Sequence, residues 1–214
     1  MKKTAIILTA VSAAVLAGCA TFGGDDYAKA TKDMLFNSFQ AKGIASIDRL
    51  NQDEIQAACS EAEMNGKELD PKLRERLEKE QLAAIPKPSD GQYLGDWTKA
   101  EKIAQSGVGM AWNNKVDTVN GGNCYACHQL TKQEISYGTL GPSLYQYGKL
   151  RGVTDPHSPA AQAMVEYTWG KLYNAKAYNA CTLMPRFGHM KGLTETQLKD
   201  LVAYLLDPKS PVNQ

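Results

Sequence analysis

The 214 residues suffice for one ordinary domain, or for one small domain with an extension. Lys and Arg number 24 and Asp and Glu 23, so the formal net charge is +1, which argues against a nucleic-acid partner because a phosphate-binding surface needs a basic excess. Apolar residues form 43% of the chain, enough for a hydrophobic core, and no long low-complexity run interrupts them.

The first residues have the pattern of a secretory signal. Lys2 and Lys3 precede an apolar run over 5–16, and small residues follow, so residues 1–18 are predicted to be a signal peptide that is removed. The segment 16–19 reads Leu-Ala-Gly-Cys, the form of a bacterial lipobox, which would make Cys19 the lipidated first residue of the mature protein. The alternative is ordinary cleavage at the same place without a lipid. Either way the predicted location is the periplasm, with a membrane anchor if Cys19 is acylated.

Three helices are predicted in the next part of the chain, over 25–40, 53–64 and 72–84. The third has the strongest start signal, because Asp70 can cap it and a proline takes its first position. Residues 19–94 are therefore interpreted as a helical extension that ends in a linker. The third helix carries a run of charges, which is either a partner surface or a solvated face. Its members are Lys72, Arg74, Glu75, Arg76, Glu78, Lys79 and Glu80.

Residues 95–214 are predicted to form a second helical domain. A capping box at Thr98–Glu101 predicts a helix that precedes the motif described next, and another at Thr194–Gln197 predicts the last helix, which Pro208 ends. A further helix is expected over 158–173. No segment alternates as a strand would, so the fold class is all-α. The first of these helices is predicted from one apolar stripe, formed by Ala100, Ile103, Ala104, Gly107, Val108 and Ala111.

The motif Cys124-Tyr125-Ala126-Cys127-His128 predicts the attachment of one c-type haem. The two thiols lie about one helical turn apart and would add to the vinyl groups, while the adjacent imidazole would bind the iron. A thioredoxin-like pair would follow a strand and open a longer helix, whereas the approach here is a Gly-containing loop. A zinc site would need a second pair of Cys or His at ligand spacing, and the sequence has none.

The sixth iron ligand is predicted to be Met184. It lies on a stretch that Pro185 and Gly188 keep from being helical, so its thioether can approach the iron from the face opposite His128. His/Met ligation raises the reduction potential relative to two histidines and leaves no position for a substrate. Four residues remain as alternatives: His157, Met164, His189 and Met190.

The two remaining cysteines, Cys59 and Cys181, are predicted to form a disulfide. Cys19 is assigned to processing and Cys124 and Cys127 to haem, and leftover thiols in an oxidising periplasm tend to pair. The alternative is two separately buried thiols.

Three segments together resemble the SoxX family: 122–130, 138–144 and 184–188, which read GNCYACHQL, GTLGPSL and MPRFG. The resemblance implies a class I cytochrome c fold over 95–214 with an N-terminal helical extension. By analogy with class I cytochromes, the loop 140–142 shields His128 and accepts its ring N–H on a backbone carbonyl, and Pro142 packs under the histidine. SoxX is the monohaem subunit of the SoxAX complex, an L-cysteine S-thiosulfotransferase that joins thiosulfate oxidatively to a cysteine of the SoxYZ carrier. By this resemblance the chain would pair with SoxA, receive the electrons and pass them to a small cytochrome c.

The resemblance carries no catalytic residue to this chain, because the catalytic cysteine belongs to SoxA. Two other functions remain open at this point. One is a free-standing periplasmic monohaem electron carrier of another pathway. The other is a small-molecule sensor or peroxidase-like protein whose sixth iron position is vacant.

Overall fold

The computed structural model describes residues 24–214, which form two compact units divided between Asn51 and Gln52. The predicted signal peptide and Cys19 lie outside the described residues. The first unit contains helix α1, Gly24–Ser38, and a short 3-10 helix, Ile47–Leu50. Between them Lys42 and Ala45 exchange two backbone hydrogen bonds of 3.0 Å.

The second unit is built from five α-helices: α2 (Glu54–Met64), α3 (Pro71–Ala83), α4 (Trp97–Gln105), α5 (Gln162–Tyr173) and α6 (Glu195–Leu206). Short 3-10 helices lie at Cys124–Ala126, Lys149–Arg151, Pro159–Ala161, Ala175–Ala177 and Pro211–Asn213. No sheet is formed anywhere in 24–214, so the all-α prediction is confirmed for this range. Within it no helix combines the length and the hydropathy that crossing a bilayer requires.

Side-chain caps determine where three of these helices begin. Asp53 accepts the backbone N–H of Gln56, whose side chain in turn accepts from the backbone of Asp53, so α2 starts with a complete capping box. Asp70 accepts two backbone N–H groups at the start of α3. The predicted capping box of α6, between Thr194 and Gln197, is present as well.

Helix α4 differs from its prediction at both ends. Its N-cap is Asp96, which accepts the backbone N–H of Thr98, so the predicted capping box at Thr98–Glu101 is wrong. The helix also stops at Gln105 instead of continuing to Ala111. After Gln105 the chain pairs with the loop before the C-x-x-C-H motif. Gly121 donates to the carbonyl of Val108 (2.8 Å) and Asn123 to that of Ser106 (2.9 Å), and these hydrogen bonds replace those that a longer helix would form.

The main core lies where α4 and α5 pack against α6. Ala100 and Ala104 are fully buried on α4, and their small side chains let α6 approach closely. Trp169 and Leu172 of α5 are buried in the same core. Helix α6 contributes six residues to this core: Leu198, Leu201, Val202, Tyr204, Leu205 and Leu206.

A smaller cluster joins α2 and α3 to the segment before Met184. Ile55 of α2, Leu77 of α3 and Ala180 are each at most 1% exposed and pack together. The linker is also bound, because the indole N–H of Trp169 donates to the carbonyl of Pro86 (2.9 Å). These contacts explain why the compact unit begins at Gln52, whereas the sequence predicted a division between 94 and 95.

Candidate functional site

The C-x-x-C-H motif adopts a single turn of 3-10 helix, Cys124–Ala126. The carbonyl of Cys124 accepts the backbone N–H groups of Cys127 (3.1 Å) and His128 (2.9 Å), which closes the turn. Neither Cys124 nor Cys127 is in a disulfide. The turn therefore presents two thiols and one imidazole from five consecutive residues.

The ring of His128 is oriented by the segment 140–142. Its Nδ1 lies 2.7 Å from the carbonyl oxygen of Pro142, so Nδ1 carries the proton and donates, and Nε2 is left with a free lone pair. Gly141 lies against the ring itself, since a Cβ placed there would be 2.1 Å from Cε1 of His128. Only a residue without a side chain permits this contact, and the ring is held in one orientation as a result.

The loop 138–144 is hydrogen-bonded along the motif. Gly138 donates to the carbonyl of Tyr125 and Gly141 to that of Cys127, both at 2.8 Å. Gly138 also has no room for a side chain, because a Cβ there would lie 1.8 Å from the carbonyl oxygen of Ala126. The histidine and its hydrogen-bond acceptor thus belong to one rigid local structure.

Cys124 is the more enclosed of the two thiols. It packs against the main core, and a Cβ on Gly122 would lie 3.2 Å from its Sγ and 3.7 Å from a methyl group of Leu193. Burial raises the pKa of the Cys124 thiol to about 12, so this thiol is protonated at neutral pH. Gly122 thus lies next to both Cys124 and the Leu193 side chain, which places the motif beside the segment that contains Met184.

Hydrogen bonds connect the two segments directly. The side-chain amide of Asn120 donates to the carbonyl of Gly192 (2.9 Å), and Gln197 of α6 donates to the carbonyl of Asn120 (2.7 Å). The carbonyl of Phe187 accepts from Gly192 (2.9 Å) and Leu193 (3.1 Å), which closes the turn after Met184. The loop before the motif and the loop after Met184 are therefore held together at the start of α6.

Met184 is half-buried, packs against the main core and lines a cavity of about 950 Å³. Met110, Gly121, Phe187 and Met190 line the same cavity, whose size is that of a cofactor pocket, about 300–1,000 Å³. Cys124, Cys127 and His128 are not among the described residues that line it. Met184 thus lies near Gly121, on the loop that leads into the motif. Met184 and His128 do not line this cavity together.

The other axial candidates are less suitably placed. His157, Met164 and His189 are not among the described residues that line the cavity, whereas Met190 lines it beside Met184. Met164 lies on α5 and packs against the core, as methionine commonly does. Met184 and Met190 both lie on the non-helical segment between α5 and α6, and of the two only Met184 packs against the main core.

Two links join the Met184 segment to α2. A disulfide connects Cys59 of α2 to Cys181, with 5.4 Å between the Cα atoms, in the pairing that the sequence predicts. The guanidinium of Arg186 forms an ion pair with Asp53, the N-cap of α2. No sequence pattern predicts this pair. Its one local signal is Arg186 itself, a charged residue directly after a proline in an otherwise apolar loop.

The residues present fit a covalently bound haem. The motif supplies two thiols for attachment and a free imidazole nitrogen for the iron. Met110, Leu183 and Met190, which line the cavity beside Met184, are 39%, 82% and 53% exposed, as expected for apolar side chains that a large apolar group would cover. Among residues 24–214 no three His, Cys, Asp or Glu side chains cluster as a metal site, which gives the zinc alternative no support.

Comparison with known proteins agrees with this site. Residues 116–208 match the family model of cytochrome c. A protein of Aquifex aeolicus (strain VF5), named an uncharacterized lipoprotein, is 37% identical over 166 residues, which cover 76% of this chain and 73% of the relative. The matched range contains the C-x-x-C-H motif, the loop at 138–144 and Met184.

Proposed function

We propose that the chain transfers electrons through a single haem, because residues 116–208 match the family model of cytochrome c, a family with an all-α class I fold and covalently bound haem c. Cys124 and Cys127 would hold that haem, and His128 and Met184 would bind its iron. When bound, the haem supplies a centre that gains and loses one electron. The observation that carries the proposal is the His128 ring, fixed through Pro142 with Nε2 free beside two free thiols.

The protein's own residues contribute orientation and ligand strength. The carbonyl of Pro142 accepts a hydrogen bond from the Nδ1–H group of His128, which keeps the imidazole in one tautomer and raises its basicity. A thioether from Met184 favours ferrous iron, so the pair suits an electron acceptor of raised potential. If His128 and Met184 both bind the iron, no iron site would remain for a substrate.

The ligand assignment is tested by Met184→Ala in the holoprotein. We expect loss of the weak long-wavelength absorption band that sulfur ligation gives to ferric haem, together with a lower potential and carbon monoxide binding by the reduced protein. Met190→Ala is the matched control, because Met190 lines the same cavity and is 53% exposed. An unchanged spectrum and potential in Met184→Ala would contradict the assignment.

The more specific part of the proposal is a role as the SoxX-like subunit of a SoxAX complex. It is supported by three segments on which the resemblance rests: 122–130, 138–144 and 184–188. In that role the haem would accept electrons released when thiosulfate is joined to the SoxYZ carrier, and a small cytochrome c would receive them. The chain would need SoxA as a partner, since it matches no catalytic cysteine of its own.

Co-expression with a SoxA protein tests this role. A stable heterodimer that reduces its haem when given thiosulfate and SoxYZ is the expected result. If the holoprotein stays monomeric with SoxA and is reduced only by other donors, the free-standing carrier is the function instead. Full haem incorporation is the control for both results, and a pyridine haemochrome spectrum measures it.

We further propose a periplasmic location with a lipid on Cys19. The relative from Aquifex aeolicus is named a lipoprotein, which supports this, and Cys19 itself lies outside the described residues. Labelling with a radioactive fatty acid should mark the native protein and leave Cys19→Ser unlabelled. Equal absence of label in both proteins would favour ordinary cleavage.

A further inference from the structure

The segment that carries Met184 is fixed to α2 on both sides of the methionine. Three residues before Met184, Cys181 is bonded to Cys59 on α2. Two residues after it, Arg186 pairs with Asp53 at the N-terminus of the same helix. The two links therefore enclose a short stretch of chain with the thioether inside it.

The Arg186 link is a buried one. The Arg186 side chain is 4% exposed, and the Asp53 side chain is 38% exposed. Burial by itself raises the pKa of Asp53, but hydrogen bonds from Arg186 and from the backbone of Gln56 outweigh it and lower the pKa overall. Loss of the Asp53 charge would leave a buried guanidinium without its partner, which favours a loop conformation in which Arg186 reaches solvent.

Helix α3 supports the same segment. Glu78 accepts the backbone N–H of Ala180 (2.8 Å), and Ala180 itself is fully buried against Ile55 and Leu77. Lys176 donates to the carbonyls of Ala180 (2.8 Å) and Thr182 (3.3 Å). Helices α2 and α3 thus determine the path of the chain up to and through Met184.

We propose that α2 is a positioning element for the Met184 thioether, which it holds toward the haem iron through the Cys59–Cys181 disulfide and the Asp53–Arg186 pair. The inference rests on the proposed function, in which Met184 is the sixth ligand. Asp53, Cys59, Cys181 and Arg186 act through Met184 and do not contact the iron themselves.

Positioning of the Met184 loop matters because the bond between a thioether and ferric iron is weak. A thioether is a soft ligand and binds ferric iron poorly, so the fraction of time it stays bound depends on how few other conformations its loop has. Each link removes alternative conformations of the Met184 loop. Without the links, the open form of the loop is more populated, and an added ligand that needs the sixth position binds faster.

The experiment uses the full-length ferric holoprotein with imidazole as the competing ligand. Asp53→Asn keeps the N-cap and removes the charge, Arg186→Gln removes the other half of the pair, and Cys59→Ser with Cys181→Ser removes the disulfide. Each is expected to bind imidazole about tenfold faster or more, which corresponds to about 1.4 kcal/mol in loop opening. The long-wavelength sulfur band should weaken in parallel, and Arg186→Lys should restore part of it.

Arg76→Gln is the matched control. Arg76 lies on α3, where it forms an ion pair with Glu54 of α2 and a second one with Glu80 of its own helix, but it is exposed and pairs with no residue of the Met184 segment. Its imidazole rate and absorption spectrum should equal those of the native protein. Amide hydrogen exchange over 182–186 should accelerate in the Asp53 variant and stay unchanged in the Arg76 variant, which reports loop opening independently of the haem.

Met184→Ala separates failure of this proposal from failure of the proposed function. If Met184→Ala keeps the sulfur band, Met184 is not the ligand and the proposed ligation is wrong. If Met184→Ala loses the band while the Asp53, Arg186 and cysteine variants match the native protein, the ligation stands and the positioning role of α2 is refuted. Asp53→Asn decides the question alone if the double cysteine variant does not accumulate, because it preserves the helix cap.

Discussion

Substitution of Gly141 by alanine should displace the proximal histidine. The added methyl group would lie 2.1 Å from Cε1 and 2.5 Å from Nδ1 of His128, well inside the closest approach that a Cβ tolerates. Gly141 is not among the glycines with positive φ, so alanine costs nothing in backbone conformation here. The whole effect must therefore come from the contact with the imidazole.

The size of the effect follows from these distances. The ring must retreat by roughly 1 Å, an overpacking cost of about 1–3 kcal/mol. The same movement stretches the 2.7 Å bond between Nδ1 and the Pro142 carbonyl toward its limit, which costs about 1 kcal/mol more. The lower entropy of an unfolded chain with alanine offsets about 0.4–1 kcal/mol, so the free energy of unfolding should fall by about 1–3 kcal/mol.

Urea unfolding followed by circular dichroism measures this loss in the holoprotein. A weaker hydrogen bond also makes the imidazole a less basic ligand, so the reduction potential of Gly141→Ala should rise. Gly107→Ala is the control, because a Cβ there meets only the Asn123 side chain at 3.5 Å, and its stability should change by less than about 0.5 kcal/mol. If Gly141→Ala unfolds at the native urea concentration with the native potential, the close packing inferred for the histidine is wrong.

Two further predictions concern α2 and α3. On folding, Arg186 and the backbone of Gln56 lower the pKa of Asp53, despite the opposing effect of burial. The Asp53 carboxylate therefore stabilises the folded protein fully at pH values above its unfolded pKa of 3.8, and this stabilisation is lost as the pH falls through the lowered pKa of the folded state. Denaturation of native protein and Asp53→Asn at several pH values should show a stability gap that is constant near neutrality and closes below about pH 4, and a gap independent of pH would contradict it. Leu77→Ala should cost about 2–5 kcal/mol because Leu77 is 1% exposed, whereas Leu82→Ala, at 48% exposure, should change stability by less than about 0.5 kcal/mol in the same urea assay.

Local signals in the sequence were sufficient where a helix start depends on neighbouring residues. The caps of α3 and α6 are formed by Asp70 and Thr194, and each accepts the backbone N–H groups two or three positions later that the sequence pattern predicts. Asp53 caps α2 in the same way, at the residue where the sequence predicts that this helix begins. The same holds for the turn of the C-x-x-C-H motif, whose hydrogen bonds lie within five residues. These elements need no information from distant parts of the chain.

Helix α4 shows where local signals fail. Its apolar pattern continues to Ala111, but the carbonyls of Ile103, Ser106 and Val108 accept backbone N–H groups from residues 121–123. Those partners lie more than a dozen positions away, so the choice between helix and loop is made by tertiary hydrogen bonds. Gly107, the fourth residue of that apolar pattern, lies beside the side chain of Asn123.

The two faces of the proposed haem site differ in the same way. On the proximal face His128 is held by a loop 14 residues away in the chain, through a carbonyl at Pro142 and a contact at Gly141, so a short sequence contains nearly all that the geometry needs. On the distal face the proposed ligand Met184 lies two residues from Arg186, which pairs with Asp53 across 133 residues. The proximal ligand could therefore be predicted from its motif, whereas the contacts of the Met184 segment emerge only from the folded chain. Because these long-range contacts are separate from the motif, the proposed positioning role of α2 can be tested without altering haem attachment.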